Sequence, residues 1–486
     1  MTANRDSIVP HSQRPGISAT AVEVRALLAL AAPLTLTNLA QIAIMTTDVV
    51  MIGTLGPHAL AASALGSALM FTLWMFGVGV VTAVAPFVAQ ARGRGRDIQG
   101  ESRRTFQQGL WAATIVALPC VGLLMLAGPL LLAMGQEPTL VADTEIYLQS
   151  LMWCLPPSLW FITMRTFLSA IERTRPAVLV TIAAIFFNAF GNWVLIHGEL
   201  GFPALGLLGA GLASTLACLF MAVALGVVFL VEPGLRRYRV WAGFGRRDWA
   251  RLRDLLAVGV PIGAMMTLEC ALFSGATLAM GLIGAEAVAA HQIALQCASV
   301  TFMIPLGIGQ AATVRVGVAA GRGDAGGVAR AGWTALVLGA GIMATAALGF
   351  LLLAGPIIGL FLDSAQPDAA VTVAYAIGFL FFAAIFQLAD GAQVIAAGAL
   401  RGLKDTRVPM LIAGAGYWGV GGVLGLVLAF PLGWGGNGIW LGLTLGLAVV
   451  AILLVLRFAE RTRRSRRLSG NDLAGLGAQP VVVEVP

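Results

Sequence analysis

The chain has 486 residues, of which 58% are hydrophobic and only 11% charged, and its mean hydropathy is +0.89. A soluble chain is about a quarter charged, so the soluble classes are excluded and a polytopic membrane protein remains. The net charge of +7 follows from an asymmetric placement of basic residues that membrane topology explains, so no nucleic-acid partner is expected.

Residues 1–24 hold Pro10, His11 and Pro15 and no signal-peptide apolar run. They read as a cytoplasmic tail, with the first span as insertion signal. Twelve apolar segments follow, near 26–54, 59–91, 109–134, 145–170, 176–197, 204–231, 254–283, 287–320, 331–362, 370–400, 408–431 and 436–458. Most reach the roughly 20 residues a spanning helix needs. The segments 59–91 and 287–320 are long enough to leave the bilayer at their basic ends. Sixty glycines suit close helix packing in lipid.

Of the 30 Lys and Arg, all but Arg165 and Arg315 fall in the two tails, at the tail end of segment twelve (Arg457) or in loops after even-numbered segments. Those two lie toward the same side within segments four and eight. The positive-inside rule then puts both termini in the cytoplasm. Residues 459–486 are basic and then rich in Gly, Ser and Ala, and are expected to be a disordered cytoplasmic tail. Cys120, Cys154, Cys218, Cys270 and Cys297 lie in apolar segments without metal or redox spacing, and read as small buried hydrophobes. His58, His197 and His291 fall at outer helix ends and form no cluster.

The chain repeats itself. With Pro33 set on Pro261, an offset of 228, Gly53 meets Gly281, Gly56 meets Gly284, Gly79 meets Gly307 and Gly93-Arg94-Gly95 meets Gly321-Arg322-Gly323. Later pairs drift, Thr174-Arg175 matching Thr406-Arg407 at 232. An even number of spans per unit gives parallel repeats about an axis along the membrane normal. The expected domains are an N-lobe (25–232), a cytoplasmic connecting loop (233–253) and a C-lobe (254–458). Lobes of this kind can rock about a central site.

Three acids, Asp48, Glu269 and Asp390, lie well inside spans, where a carboxylate costs several kcal/mol unless it faces water, a cation or a proton partner, so each reads as functional. Gln41 precedes Asp48 by nearly two turns on one face. Asn188 and Asn192 share a face of span five, and Ser214 in span six could add a hydroxyl. A carboxylate with amide oxygens suits Na⁺ or a hydrogen-bonded proton carrier. Glu269 occupies the repeat position of Gln41, and Asp390 lies between Gln387 and Gln393. An isolated acid in an apolar pocket can take up a proton near neutral pH, and an ionised one attracts cations. Phe386, one turn before Asp390, and Trp74, Trp160, Trp193, Phe302 and Trp418 could receive organic cations. Pro33 and Pro261 can kink their helices. With no nucleophile motif, phosphate loop or metal motif, no enzyme is indicated, and uphill transport would draw on an ion gradient.

The stretches TTDVVMIGTLGPHALAA, NAFGNWVLIHG, LECALF, AVAAHQIALQ through RVGVAAGRGD, and DGAQVIAAGALRGLKDTRVP resemble the multidrug and toxic compound extrusion (MATE) family, in its bacterial NorM-like branch, over residues 25–458. The resemblance implies an all-α fold of twelve spans in two parallel six-helix lobes around a V-shaped cavity. It implies export of cationic, often aromatic compounds in exchange for H⁺ or Na⁺, with no cofactor and a monomer in the bilayer. By position Asp48, Asn188 and Asn192 look like the family's N-lobe cation site, a possible Na⁺ site, and Glu269 and Asp390 like its C-lobe acidic pair. Gln41, Phe386, Gln387 and Gln393 are the expected substrate contacts. Phe386 stands where Na⁺-coupled relatives often carry a tyrosine, and a phenyl ring offers no oxygen ligand. The rival readings are a flippase for a lipid-linked precursor, an integral-membrane enzyme and a channel. Against the flippase stand spans whose outer halves carry no basic residue.

Overall fold

The computed structural model describes residues 19–245, 248–362 and 369–475. Helices run in order as α1 (Ala19–Gly53), α2 (Pro57–Thr82), α3 (Val84–Arg94), α4 (Ile98–Leu124), α5 (Ala127–Ala133), α6 (Pro138–Leu151), α7 (Leu155–Ala170), α8 (Arg175–His197) and α9 (Gly206–Val231). The second half follows with α10 (Pro233–Arg236), α11 (Trp249–Gly281), α12 (Ala285–Gly321), α13 (Ala325–Leu352), α14 (Ala354–Gly359), α15 (Ala369–Gly402), α16 (Arg407–Gly414), α17 (Val423–Ala429) and α18 (Gly435–Gly475).

Eleven helices of the described residues are long and apolar enough to cross a membrane. The expected span 145–170 is present as α6 and α7, broken by a 3₁₀ turn at Met152–Cys154. Pro156 and Pro157 open α7 and cannot donate the backbone bonds that would fuse it to α6. The expected span 408–431 also departs from one regular helix. Between α16 and α17, Ala415–Gly422 winds as a π-helix. Its Gly416 and Gly421 let this wide turn lie on α18, where a Cβ at Gly421 would stand 3.2 Å from Gly446 Cα.

Three expectations are corrected. Residues 459–475 are helical rather than disordered, because α18 continues to Gly475. Arg, Glu, Ala and Leu in this stretch are good helix formers, and Phe458 and Thr462, one turn apart, stay buried. Residues 476–486 and the tail before Ala19 lie outside the described residues; α1 itself begins before the expected boundary at 25. Cys154 and Cys218 are not isolated hydrophobes but form a disulfide between the 3₁₀ turn and α9, while Cys120, Cys270 and Cys297 are free. His291, in the second turn of α12 as its helix-end position led one to expect, is fully buried and hydrogen-bonds Thr277 Oγ1 at 3.2 Å.

The halves meet through α1 against α12 and α2 against α11. A Cβ at Gly79 would overlap the backbone of Gly263, and one at Gly307 would overlap Thr35. Residues 79 and 307, like 35 and 263, are 228 apart, so this is one contact made twice. Toward the arginine-rich end, repeat mates touch each other: Gly93 lies on Gly321, and Gly317 on Ala89. Residues beside a two-fold axis must do this.

Polar pins edge the seam. Arg315 Nε and Nη2 hold both oxygens of Glu23 at 2.8 and 2.7 Å, and Arg315 also reaches Glu172 at 3.9 Å. The repeat mates of Arg315 and Glu23 are Phe87 and Arg251. There the Arg251 guanidinium lies 5.7 Å from the Phe87 ring centroid, with Lys404 Nζ 3.8 Å from it. One side is thus an ion pair and its mate a cation–π contact. Burial, then the like charges of Arg94 and Arg251, pull the Lys404 ammonium from 10.5 down to about 8.

Candidate functional site

In the first half, α1, α8 and α9 converge on Asp48. Asn188 Nδ2 and Asn192 Nδ2 donate to Asp48 Oδ1 at 3.0 and 2.6 Å, and Ser214 Oγ donates to Oδ2 at 2.8 Å. The four-residue spacing puts both amides on one face of α8, where Asn192 Nδ2 also reaches Asn188 Oδ1 at 3.3 Å. Asn188 and Asn192 are fully buried and Ser214 nearly so, whereas Asp48 is half-exposed. The donation by Nδ2 to a carboxylate fixes the orientation of Asn192 and leaves its Oδ1 buried without a partner. The centre therefore carries one negative charge and one spare acceptor, a combination that suits a small cation or a proton.

In the second half, α11, α15 and the π-helix converge on Glu269 and Asp390. Gln393 Nε2 donates to Glu269 Oε1 at 2.6 Å and to Asp390 Oδ1 at 3.3 Å, and Gln393 Oε1 accepts from the Tyr417 hydroxyl. Arg401, itself buried, stands within electrostatic reach of Glu269. Gln387 donates to Thr301 Oγ1 and keeps a buried, unpartnered Oε1. Phe386 is 1% exposed, edge-on between Phe273 and Trp440, so its ring packs in the helical interior.

Gln41 does not join the Asp48 centre. Its Oε1 accepts from Arg165 Nη1 of α7 at 3.2 Å, and Asn38 Oδ1 accepts from the same nitrogen at 3.3 Å. Sequence reasoning passed over Arg165 as a flanking charge, and it did not name Tyr417. Tyr417 was findable: the chain holds only four tyrosines, and a polar-tipped aromatic inside a span needs a partner. A second tyrosine, Tyr147, lies in the first half 3.4 Å from Ser67 Oγ and within electrostatic reach of Asp48.

Apolar helices with lipid-length spans, a seam of glycines between halves and an acidic centre among the helices of each half together define a multi-pass membrane protein of transporter architecture. The chain belongs to the MatE family, whose profile matches residues 33–194 and again 261–427. The two matches begin at the prolines that anchor the internal repeat. It is 48% identical over 441 residues to a probable multidrug resistance protein NorM of Mesorhizobium japonicum, covering 91% of this chain and 94% of that one. It is 41% identical over 451 residues to the multidrug resistance protein NorM of Burkholderia vietnamiensis, covering 92% and 96%. Among solved structures, the eukaryotic MATE transporter AtDTX14 superposes with a TM-score of 0.80 at 20% identity, covering 93% and 99%. An outward-facing multidrug resistance MATE family transporter of the MOP superfamily gives 0.80 at 18%, covering 91% and 96%.

Proposed function

We propose that this protein is a multidrug efflux transporter of the bacterial inner membrane that exports cationic, often aromatic compounds in exchange for H⁺ or Na⁺. The names carried by its relatives favour this over a flippase or a membrane enzyme. The observation that carries the coupling is the Asp48 centre, a carboxylate inside a span held by three donors beside an unpartnered amide oxygen. A small cation or proton loading there neutralises the charge, and the affinity of the first half for an organic cation falls with it. The Glu269–Gln393–Asp390 group is a second such centre, and it receives a phenol from Tyr417 in place of the one Phe386 lacks.

On this reading residues 25–232 and 254–458 are two lobes of one monomer. They rock about the glycine seam, and the arginine-rich end with both termini faces the cytoplasm. Close approach at that end corresponds to a cavity open outward. The test is ethidium efflux from vesicles with Na⁺ and pH gradients imposed separately. Acceleration by one gradient, lost in Asp48→Asn, is expected; efflux indifferent to both gradients would refute ion exchange.

A further inference from the structure

One groove is finished differently in the two halves. Asp97 and Asp324, 227 residues apart, cap α4 and α13 by accepting from the amides of Gly100 and Gly327 at 3.2 and 2.7 Å. The same offset sets Gly209 and Gly211 of α9 on Gly436 and Gly438 of α18. The groove between α4 and α9 therefore has its mate between α13 and α18, and Phe106 has Trp333. In the first half, Pro233 forces Glu232 out of helical geometry, and the chain turns back over the groove. Gln107 Nε2 holds the returning segment by donating to Val240 O and Ala242 O at 2.7 and 3.0 Å. The Trp241 ring then stands edge-on 5.6 Å from Phe106, and a Cβ at Gly226 of α9 would touch it at 3.7 Å. Phe106 is 0% exposed.

In the second half Glu460 stands where Pro233 does, and α18 runs straight on. Among the described residues no segment returns, and Trp333 is 40% exposed. A cavity of about 200 Å³ is left, lined by Ala329, Trp333, Ala459, Thr462 and Arg463. Arg463 is exposed and has no acid within ion-pair distance among the described residues, Glu460 one turn back included. Arg457 and Arg461 of the same helix, in contrast, share Asp405 at 2.9 and 2.8 Å. Arg330 and Arg464, both exposed, add charge at the rim, and Arg330 meets Asp324 only at 3.8 Å. Toward the apolar body, exposed Val337 follows Trp333 by one turn, and exposed Leu456 and Ile452 precede Arg463 by two and three turns on one stripe of α18.

We infer that this cavity binds one anionic phospholipid from the leaflet at the arginine-rich end, taking the place that the returning segment fills in the first half. The phosphodiester accepts from Arg463, the glycerol edge rests on Trp333, and an acyl chain follows Val337 and Leu456. Arginine matches phosphate geometry, an indole suits the interface between headgroups and chains, and basic pockets between spans select anionic headgroups. Inorganic phosphate would satisfy the guanidinium and leave the apolar strip bare. Lipid binding here requires only that the helices span a bilayer, whichever way the protein faces and whatever it carries.

The probe is phosphatidylglycerol, with phosphatidylcholine of the same chains as control, added to the purified full-length protein in detergent and counted by native mass spectrometry. Thermal unfolding checks that each variant is folded. Wild type is expected to hold one phosphatidylglycerol at least about tenfold more tightly than phosphatidylcholine. Arg463→Gln brings the two lipids level, and Arg463→Lys keeps part of the preference, because an ammonium attracts phosphate without the fork. Ala459→Phe plugs the cavity with its charge intact and also removes the bound lipid; Ala329→Leu does so from α13 should Ala459→Phe not fold. No preference in wild type, or a preference unchanged in folded Arg463→Gln, would overturn the site. A preference lost in Arg463→Gln but kept in the plugged variants would be diffuse surface attraction and would overturn the cavity. Displacement by equimolar inorganic phosphate would assign a free anion and overturn the lipid. Binding that appears only when Val481→Asp and Val483→Asp are introduced into the full chain would make residues 476–486 the occupant and overturn it as well.

Discussion

Asp48→Asn separates the charge of the first centre from its shape. The substitution keeps an oxygen for the Asn188 and Asn192 amides at 3.0 and 2.6 Å. Only the Oδ2 side changes, where the new amide meets the Ser214 hydroxyl now 2.8 Å away, and a hydroxyl can rotate to accept. The folding cost is therefore about 1 kcal/mol, one neutral hydrogen bond rearranged. The functional cost is far larger. A unit charge about 4 Å from a bound cation contributes roughly 4 kcal/mol at an effective dielectric of about 20, or nearly three orders of magnitude in affinity. Expression and thermal unfolding of the purified variant should match wild type closely, and gradient-driven ethidium efflux should vanish. Efflux at wild-type rates from a folded Asp48→Asn protein would refute the argument that a charge at this depth is kept for ion exchange.

Other outcomes follow from other parts of the molecule. Gln393→Leu removes the amide that joins Glu269, Asp390 and Tyr417; it should destabilise the fold by about 2–4 kcal/mol in thermal unfolding and abolish efflux, and Tyr417→Phe should cost about 1–2 kcal/mol. A double-mutant cycle on Glu23→Gln and Arg315→Gln should give a coupling of about 1–2 kcal/mol that shrinks with added salt. The mate contact, probed by Arg251→Gln and Phe87→Leu, should give about 0.5–1 kcal/mol. Lys404 titrates near 8 in the fold and at 10.5 when unfolded, so the unfolded chain holds more protons between those values and stability rises with pH there. Melting temperatures of wild type relative to Lys404→Met should climb across that window, and a flat difference would contradict the buried, crowded ammonium.

The parts legible in the sequence were those with a local signature. Asn188 and Asn192 announce a shared face by their spacing, and an acid inside an apolar run announces its cost, so the Asp48 centre could be assembled from three separate helices before any coordinates. The glycine repeat likewise gave the offset that makes sense of Gly79 against Gly263. What stayed hidden depends on partners far apart in the chain. Nothing at Cys154 or Cys218 signals a bond across 64 residues. Gln41 is on the right face for Asp48, yet Arg165, from another helix, claims its oxygen. Tyr417 reaches Gln393, and through it the acid pair, from the π-helix at Ala415–Gly422, and a run of glycines says that close packing occurs without saying which turn it takes.

The backbone-on-backbone joints, Gly79 against Gly263 and Gly93 against Gly321, have a mechanical meaning. Interlocked side chains would act as cog teeth, each of which must leave its rotamer before two surfaces can part. Hydrogen atoms on α-carbons offer no teeth, so contact area can be shed and regained in small steps, much as one smooth cylinder rolls on another. On the rocking reading, the charged groups at the rim, Arg315 with Glu23 and Arg251 at Phe87, would add a resistance that single substitutions can tune without touching these joints.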